Sequence, residues 1–305
     1  MTIHDLLRTQ INDVWGAGRV DLVDHNYADT VIDHMPIPGQ PAGRNAMKGA
    51  VRLFRTAMPD LKMTLHGTLA AGDMGADFWT LTGTHSGEFM GIKPTGNRIE
   101  MSGIDMVRVA GKQIAELWHV EEMLQFWQQI GHVDAPFGQP AAPPVMQPLT
   151  SVGDDPGAGV TIAISNRPTA TEIRNIAVAR EHIEHMWARS KADLGFKLYA
   201  PDAIDHNPAP GQRPGVDGIV DVIHWMTQAV PKLRMQIHQY VVDGDYVADR
   251  WTMHGVHSGA PMMGLPAKGR SFEINGMDVI RVNKAGRISD VWHVEEFDRM
   301  RAAII

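Results

Sequence analysis

Trp118-His119-Val120-Glu121-Glu122 returns without change as Trp292-His293-Val294-Glu295-Glu296, and this pair decides the reading of the fold. Moving back along both arms, Gly103-Ile104-Asp105 matches Gly276-Met277-Asp278, His85-Ser86-Gly87 matches His257-Ser258-Gly259, and Trp79-Thr80 matches Trp251-Thr252. Farther out, Gly72-Asp73 falls on Gly244-Asp245, Met58-Pro59 on Val230-Pro231 and Tyr27 on Tyr199. Asp33-His34-Met35-Pro36-Ile37-Pro38-Gly39-Gln40 reappears as Asp205-His206-Asn207-Pro208-Ala209-Pro210-Gly211-Gln212, 172 residues later. A period near 170 is far too long for a solenoid, whose repeats lean on one another, so each copy is expected to be a domain with its own core. The predicted organisation is a first domain over 1–132, a linker over 133–167 rich in Pro, Gly and Ala, and a second domain over 168–305. Within the linker, Val160-Thr161-Ile162-Ala163-Ile164 has the composition of a short edge strand.

The order of elements is the same in each copy. Thr2 caps a predicted helix whose apolar positions Ile3, Leu6, Leu7, Ile11, Val14 and Trp15 keep helical spacing, with Gly16 or Gly18 ending it. Its counterpart starts at Thr169 or Thr171 and runs through Ile176, Ile183 and Trp187. A second helix is predicted over 46–57 and again over 216–229, each stopped before a proline. Four segments of strand character follow, at 62–70, 75–85, 98–109 and 113–121, separated by Gly- and Asp-containing turns. Helices first and an antiparallel sheet afterwards make an α+β domain, a curved sheet wrapped on its N-terminal helices, with a pocket left at its open end.

Composition narrows the function. Among 305 residues, 28 Lys and Arg stand against 35 Asp and Glu, a formal charge of −7 with no basic run, which argues against nucleic acid as the partner. Cysteine is absent, which removes disulfides, thiol nucleophiles and thiolate-bound zinc. No apolar run reaches the roughly 20 residues that span a bilayer, and the N-terminus carries no signal-like core, so a cytoplasmic protein with no membrane partner is the expectation. The 19 methionines read as adaptable packing around a cavity.

Several stretches resemble the SnoaL-like polyketide cyclases, which share the cone-shaped α+β fold of nuclear transport factor two and ketosteroid isomerase. They are Pro59-Asp60-Leu61, Gly83-Thr84-His85-Ser86-Gly87-Glu88-Phe89-Met90-Gly91, Pro94-Thr95-Gly96 and the hairpin from Gly103 to Trp118. The likeness is looser in the second copy, where Pro231-Lys232-Leu233 and Gly264-Leu265-Pro266-Ala267 depart from the pattern. The resemblance implies two cone-shaped domains and an intramolecular aldol closure run without metal or cofactor. It also implies an acidic residue directly after the Trp of the final strand, where this chain has His119 and His293. Single domains of the fold pair through a sheet face, so the two copies are expected to form an intramolecular pseudo-dimer, with a further homo-oligomer open.

Strand parity selects the candidate residues. Leu117, His119 and Glu121 share a face, opposite to Trp118 and Val120. In the second copy, pairing Val282 with Arg287 puts Asp278 opposite Val291 and on the face of His293. In the first, a three-residue loop Ala110-Gly111-Lys112 keeps Asp105 on the face of His119. The resulting expectation is a repeated acid/base couple, Asp105 with His119 and Asp278 with His293, suited to moving a proton beside a carbonyl of a small, mostly apolar molecule. Tyr27, His34, Trp79 and His85, with Tyr199, His206, Trp251 and His257, are the candidate substrate-binding set. Each has a plainer reading: a turn histidine bonding local backbone, a tyrosine lining a wall, a tryptophan in the core. Two other readings stay open, a non-catalytic binder of hydrophobic molecules and a metalloenzyme in which His34, His85, His119 and Glu121 converge.

Overall fold

The computed structural model describes residues 1–37, 39–132 and 155–305, so most of the expected linker lies outside the described residues. The chain divides into two compact units, Met1–Phe137 and Gly138–Ile305.

In the first unit, helix α1 (Ile3–Arg8) is capped by a reciprocal pair: the Thr2 hydroxyl accepts from Asp5 N–H, and the Asp5 carboxylate accepts from Thr2 N–H. The helix then widens into π turns over Thr9–Gly16. A single turn, α2 (Val23–Asn26), leads into strand β1 (Tyr27–Asp33), and α3 (Arg44–Ala57) follows. Strands β2 (Lys62–Ala71), β3 (Met74–Thr84), β4 (Arg98–Ala110) and β5 (Gln113–Glu121) form the antiparallel part, and α4 (Met123–Gln129) closes the unit. The sheet order is β1-β5-β4-β3-β2, with β1 parallel to β5. Strand β1 did not emerge from the sequence, and it makes the sheet mixed rather than purely antiparallel.

The helices cover one face of this sheet. Leu7, Val14 and Val51 meet Val31, Val107 and Leu117, while Ile11, Phe54 and Met58 meet Trp79, Leu81 and Phe126. Burying such side chains contributes about 1.5–3 kcal/mol each.

The second unit repeats this order. Strand β6 (Thr161–Ala163) runs parallel to the outer strand of the sheet, at the place where the sequence marks an edge strand. Helix α5 (Ala170–Arg180) opens on a second reciprocal cap, Thr169 with Glu172, and again widens into π turns over Glu181–Trp187. Then come α6 (Gly195–Leu198), β7 (Tyr199–Asp205), α7 (Gly215–Ala229), β8 (Arg234–Asp243), β9 (Tyr246–His257), β10 (Arg270–Val282), β11 (Ile288–Glu295) and α8 (Phe297–Ile304). The order β6-β8-β9-β10-β11-β7 again ends on a parallel pair, β11 with β7. Among the described residues, no helix is long and apolar enough to cross a membrane.

Candidate active site

The hairpin β4–β5 places Asp105 directly opposite His119, and β10–β11 places Asp278 directly opposite His293. The route to this register differs from the expected one. Ala110 pairs with Gln113, so the first turn holds two residues, Gly111-Lys112, with Gly111 in the left-handed region at φ +64°. Parity is restored by a bulge at Ala115, because Val109 pairs with Ile114 but Arg108 with Glu116. The second copy has the same bulge at Ser289: Val282 pairs with Ile288 rather than Arg287, and Asp278 faces His293 rather than Val291.

Each imidazole is held between two carboxylates. His119 Nε2 lies 3.1 Å from Asp33 Oδ1 and its Nδ1 lies 2.6 Å from Glu121 Oε1. The corresponding distances for His293 are 3.1 Å to Asp205 and 2.8 Å to Glu295. Burial opposes the positive charge, but the Glu121 and Asp33 carboxylates outweigh it and hold His119 well above the ordinary imidazole value; Glu295 and Asp205 do the same for His293. His119 is therefore an imidazolium with both N–H groups donated. Burial raises the acid partners, yet the imidazolium wins there too, holding Asp33 below its usual range and Asp205 at about 2.

The repeated octapeptide explains why Asp33 is so placed. Met35 N–H donates to Asp33 Oδ1 at 2.9 Å, and Gln40 Nε2 donates to Oδ2 at 2.7 Å. Asn207 N–H and Gln212 Nε2 repeat both bonds on Asp205. The motif is a carboxylate holder.

Behind the imidazole lies a second carboxyl pair. Asp105 faces Asp77 across β3–β4, and Asp278 faces Asp249 across β9–β10; all four are buried. Burial lifts Asp105 to about 7, assisted by Glu121 and opposed by His119, the Trp79 indole and the Gln10 amide. Burial and the neighbouring carboxylate raise Asp77 and Asp249 well above the usual range. Two carboxylates side by side in a dry interior cannot both ionise, so each pair retains a proton. Exposure is graded along the row. Asp77 is sealed, whereas 17% of the His119 side chain and 22% of that of Glu121 meet solvent.

The remaining candidates divide. Tyr27 and Tyr199 join the site: both are buried, and burial together with the surrounding aspartates pushes their hydroxyls well above the ordinary phenol value. Trp79 and Trp251 also join it. Each indole occupies the space left by the facing glycine: a Cβ on Gly103 would sit 2.3 Å from the Trp79 ring and one on Gly276 would sit 2.2 Å from Trp251. The Trp251 Nε1–H donates to Asp278 at 3.3 Å. His34 and His206 are not brought to the site. They stack on Trp118 and Trp292 at 4.3 and 4.1 Å, on the other face of the sheet, and pair with Glu116 and Asp290. Their neighbours Asp33 and Asp205 face inward instead.

His85 and His257 also stand apart, near the ends of β3 and β9, eight residues or about 26 Å of extended chain beyond Asp77 and Asp249. His85 bonds Thr95, and His257 bonds the Ala260 carbonyl. The convergence of His34, His85, His119 and Glu121 is thus not realised. Among the described residues, no group of three or more His, Asp or Glu side chains is arranged to hold a metal ion.

Three residue pairs escaped the sequence reading, Asp33/Asp205 and Asp77/Asp249 as site acids and Gln10/His182 on the π turns; Glu121 was expected on the face of His119, but as a metal ligand rather than as a clamp on the imidazole. All recur at the repeat spacing, which was the available signal, although Gln10 changes identity to His182.

A family model described as SnoaL-like polyketide cyclase matches residues 5–130 and again 177–303. Similar solved structures include IdmH from Streptomyces antibioticus, 27% identical, covering 42% of this chain and 96% of its own with a TM-score of 0.38. TsrD from Streptomyces laurentii is 23% identical, covering 42% and 94% with a TM-score of 0.39. A SnoaL-like polyketide cyclase from Agrobacterium tumefaciens is 18% identical, covering 43% and 99% with a TM-score of 0.37. No curated protein matches the chain.

Proposed function

The chain belongs to the SnoaL-like polyketide cyclase family in two tandem copies, and from that membership we propose that it is an enzyme of cofactor-independent acid/base chemistry. The reaction is an aldol-type cyclisation or an isomerisation of a small, mostly apolar carbonyl compound. One observation carries this reading: in both copies a buried aspartate stands directly across the sheet from an imidazole held between two other carboxylates.

The division of labour follows from the charges. Asp105, at about 7, is divided between base and acid near neutrality and is suited to remove a proton from the carbon beside the carbonyl. His119 has no lone pair to offer while both nitrogens are donated, so it is not the base. Its positive charge favours the enolate oxygen that develops, and the neutral Tyr27 hydroxyl supplies the hydrogen-bond donor. The proton taken by Asp105 then returns to the product carbon, or to the alkoxide formed on ring closure. Relative to the family pattern, acid and imidazole have exchanged strands while remaining opposite one another.

The test does not require the natural substrate. Apolar 1,3-diketones and β-keto esters are incubated with the chain in D2O, and deuterium at the carbon between the carbonyls is followed by NMR. The Asp105→Asn, Asp278→Asn double variant is expected to lower exchange by at least about a hundredfold, the usual loss of a general base. Exchange undiminished in that variant rejects the assignment. Probes that bind the unsubstituted chain but never exchange identify a ligand-binding protein instead.

A further inference from the structure

We propose that the two copies carry non-equivalent sites: in the second, His182 is a proton-relay residue acting through Asp278, a task that Gln10 cannot perform in the first. The inference rests on the acid/base reading above. Gln10 and His182 occupy equivalent places, on the π turns that follow α1 and α5. Such wide turns re-aim one side chain off the regular helical ladder, and they recur at functional sites. In the first copy the Gln10 amide donates to Asp105 Oδ2 at 2.5 Å. An amide orients the carboxylate but takes no proton from it.

In the second copy the imidazole is buried, with 1% of its surface exposed. His182 Nδ1 lies 3.1 Å from Tyr199 Oη. Its Nε2 has no hydrogen-bond partner among the described residues and lies 3.8 Å from Asp278 Oδ2. A buried ring nitrogen left unpaired beside a carboxylate is destabilising, so its retention calls for a task. With Nδ1–H donated to Tyr199 Oη, the Nε2 lone pair faces the carboxyl. A proton that Asp278 has taken from substrate carbon can move on: the Asp278 O–H bond breaks, the His182 Nε2–H bond forms, and carboxylate and imidazolium remain as a pair. The reverse step reloads Asp278 for reprotonation. No other reactant is consumed.

The titratable groups that meet His182 are Tyr199 of β7 and Asp278 of β10. Behind them, Asp205 of β7 and Asp249 of β9 act on Tyr199. Glu184, two residues along the same π turns, is held by Arg180 and by Tyr240 of β8.

Each site can be read alone, because Asp105→Asn leaves only the second and Asp278→Asn only the first. The readout is the pH profile of the deuterium exchange described above. The second site is expected to carry a pH dependence that the first lacks, since only a neutral imidazole can take the proton from Asp278. Adding His182→Gln to the Asp105→Asn chain should lower exchange by about tenfold and flatten that dependence, and adding Gln10→His to the Asp278→Asn chain should introduce it. Superimposable profiles with and without His182 overturn the relay. A second measurement does not depend on turnover: the 15N titration of the His182 ring in the full chain, assigned with His182→Gln. Asp278→Asn is expected to shift it by about one unit. An unmoved titration overturns the relay even if exchange is seen, whereas a moved titration with no exchange in the unsubstituted chain overturns the catalytic reading.

Discussion

Asp77 and Asp249 contribute no bond that a neutral side chain could not make, yet both are sealed from water beside another carboxyl. In the native chain they keep a proton that the unfolded chain releases above about pH 4. The native state then binds more protons than the unfolded state, so the free energy of unfolding falls as pH rises beyond that point. His119 and His293 act in the same direction at higher pH: their contribution is complete below about 6.5 and is lost as pH rises through their raised native values. Asp33 and Asp205 act oppositely, losing their contribution as pH falls from about 4 toward 2. The Asp77→Asn, Asp249→Asn variant is therefore expected to be about 1–3 kcal/mol more stable than the parent at pH 7.5. Urea unfolding at pH 5 and 7.5 checks this, with the gap between parent and variant narrower at pH 5. At this scale the sequence was half legible. Asp105 and His119 followed from strand parity, whereas Asp33 lay in a stretch where attention fell on the turn histidine His34, and Asp77 had no local signal beyond recurring two residues before a tryptophan.

The β4–β5 and β10–β11 hairpins decide whether the site exists, and each depends on one unpaired residue, Ala115 or Ser289. Parity makes the face of His119 all-or-nothing. Removing Ala115 turns every later side chain of β5 over, bringing Trp118 inward and His119 outward. That deletion is expected to abolish cooperative unfolding of the first unit in a thermal scan. Gly103 and Gly276 are gentler probes. A methyl group there meets the facing indole, so Gly103→Ala and Gly276→Ala should each cost about 1–3 kcal/mol and alter the near-UV circular dichroism of Trp79 and Trp251. Helices and long strands were readable because their apolar periods are long and their caps explicit, as at Thr2 and Thr169. A bulge has no composition of its own, so the register was reached by a different loop from the one expected. Strand β1 was missed because seven residues ending in Asp33, followed at once by His34 and by Pro36, carry as strong a turn signal as a strand signal.

For the whole molecule, each unit closes its own apolar core, one within residues 1–137 and the other within residues 138–305. A protease site placed between residues 133 and 154 tests this: each cleaved half is expected to keep a cooperative thermal transition, and its loss in either half counts against self-sufficient cores. The duplication was the most legible feature of all, because identical strings need no physical model to be recognised. The difference between the copies was the least legible, because it lies in one residue of a wide helical turn. A consequence also follows for the order of events during synthesis. The strand carrying Asp33 is among the first made in its half, and its parallel neighbour carrying His119 is nearly the last. Neither site can close until the ribosome has delivered almost the whole half. Translation proceeds N-terminus first, so the earlier half can complete its closure before the later one is fully made. Two long-distance searches are thereby run one after the other rather than in competition.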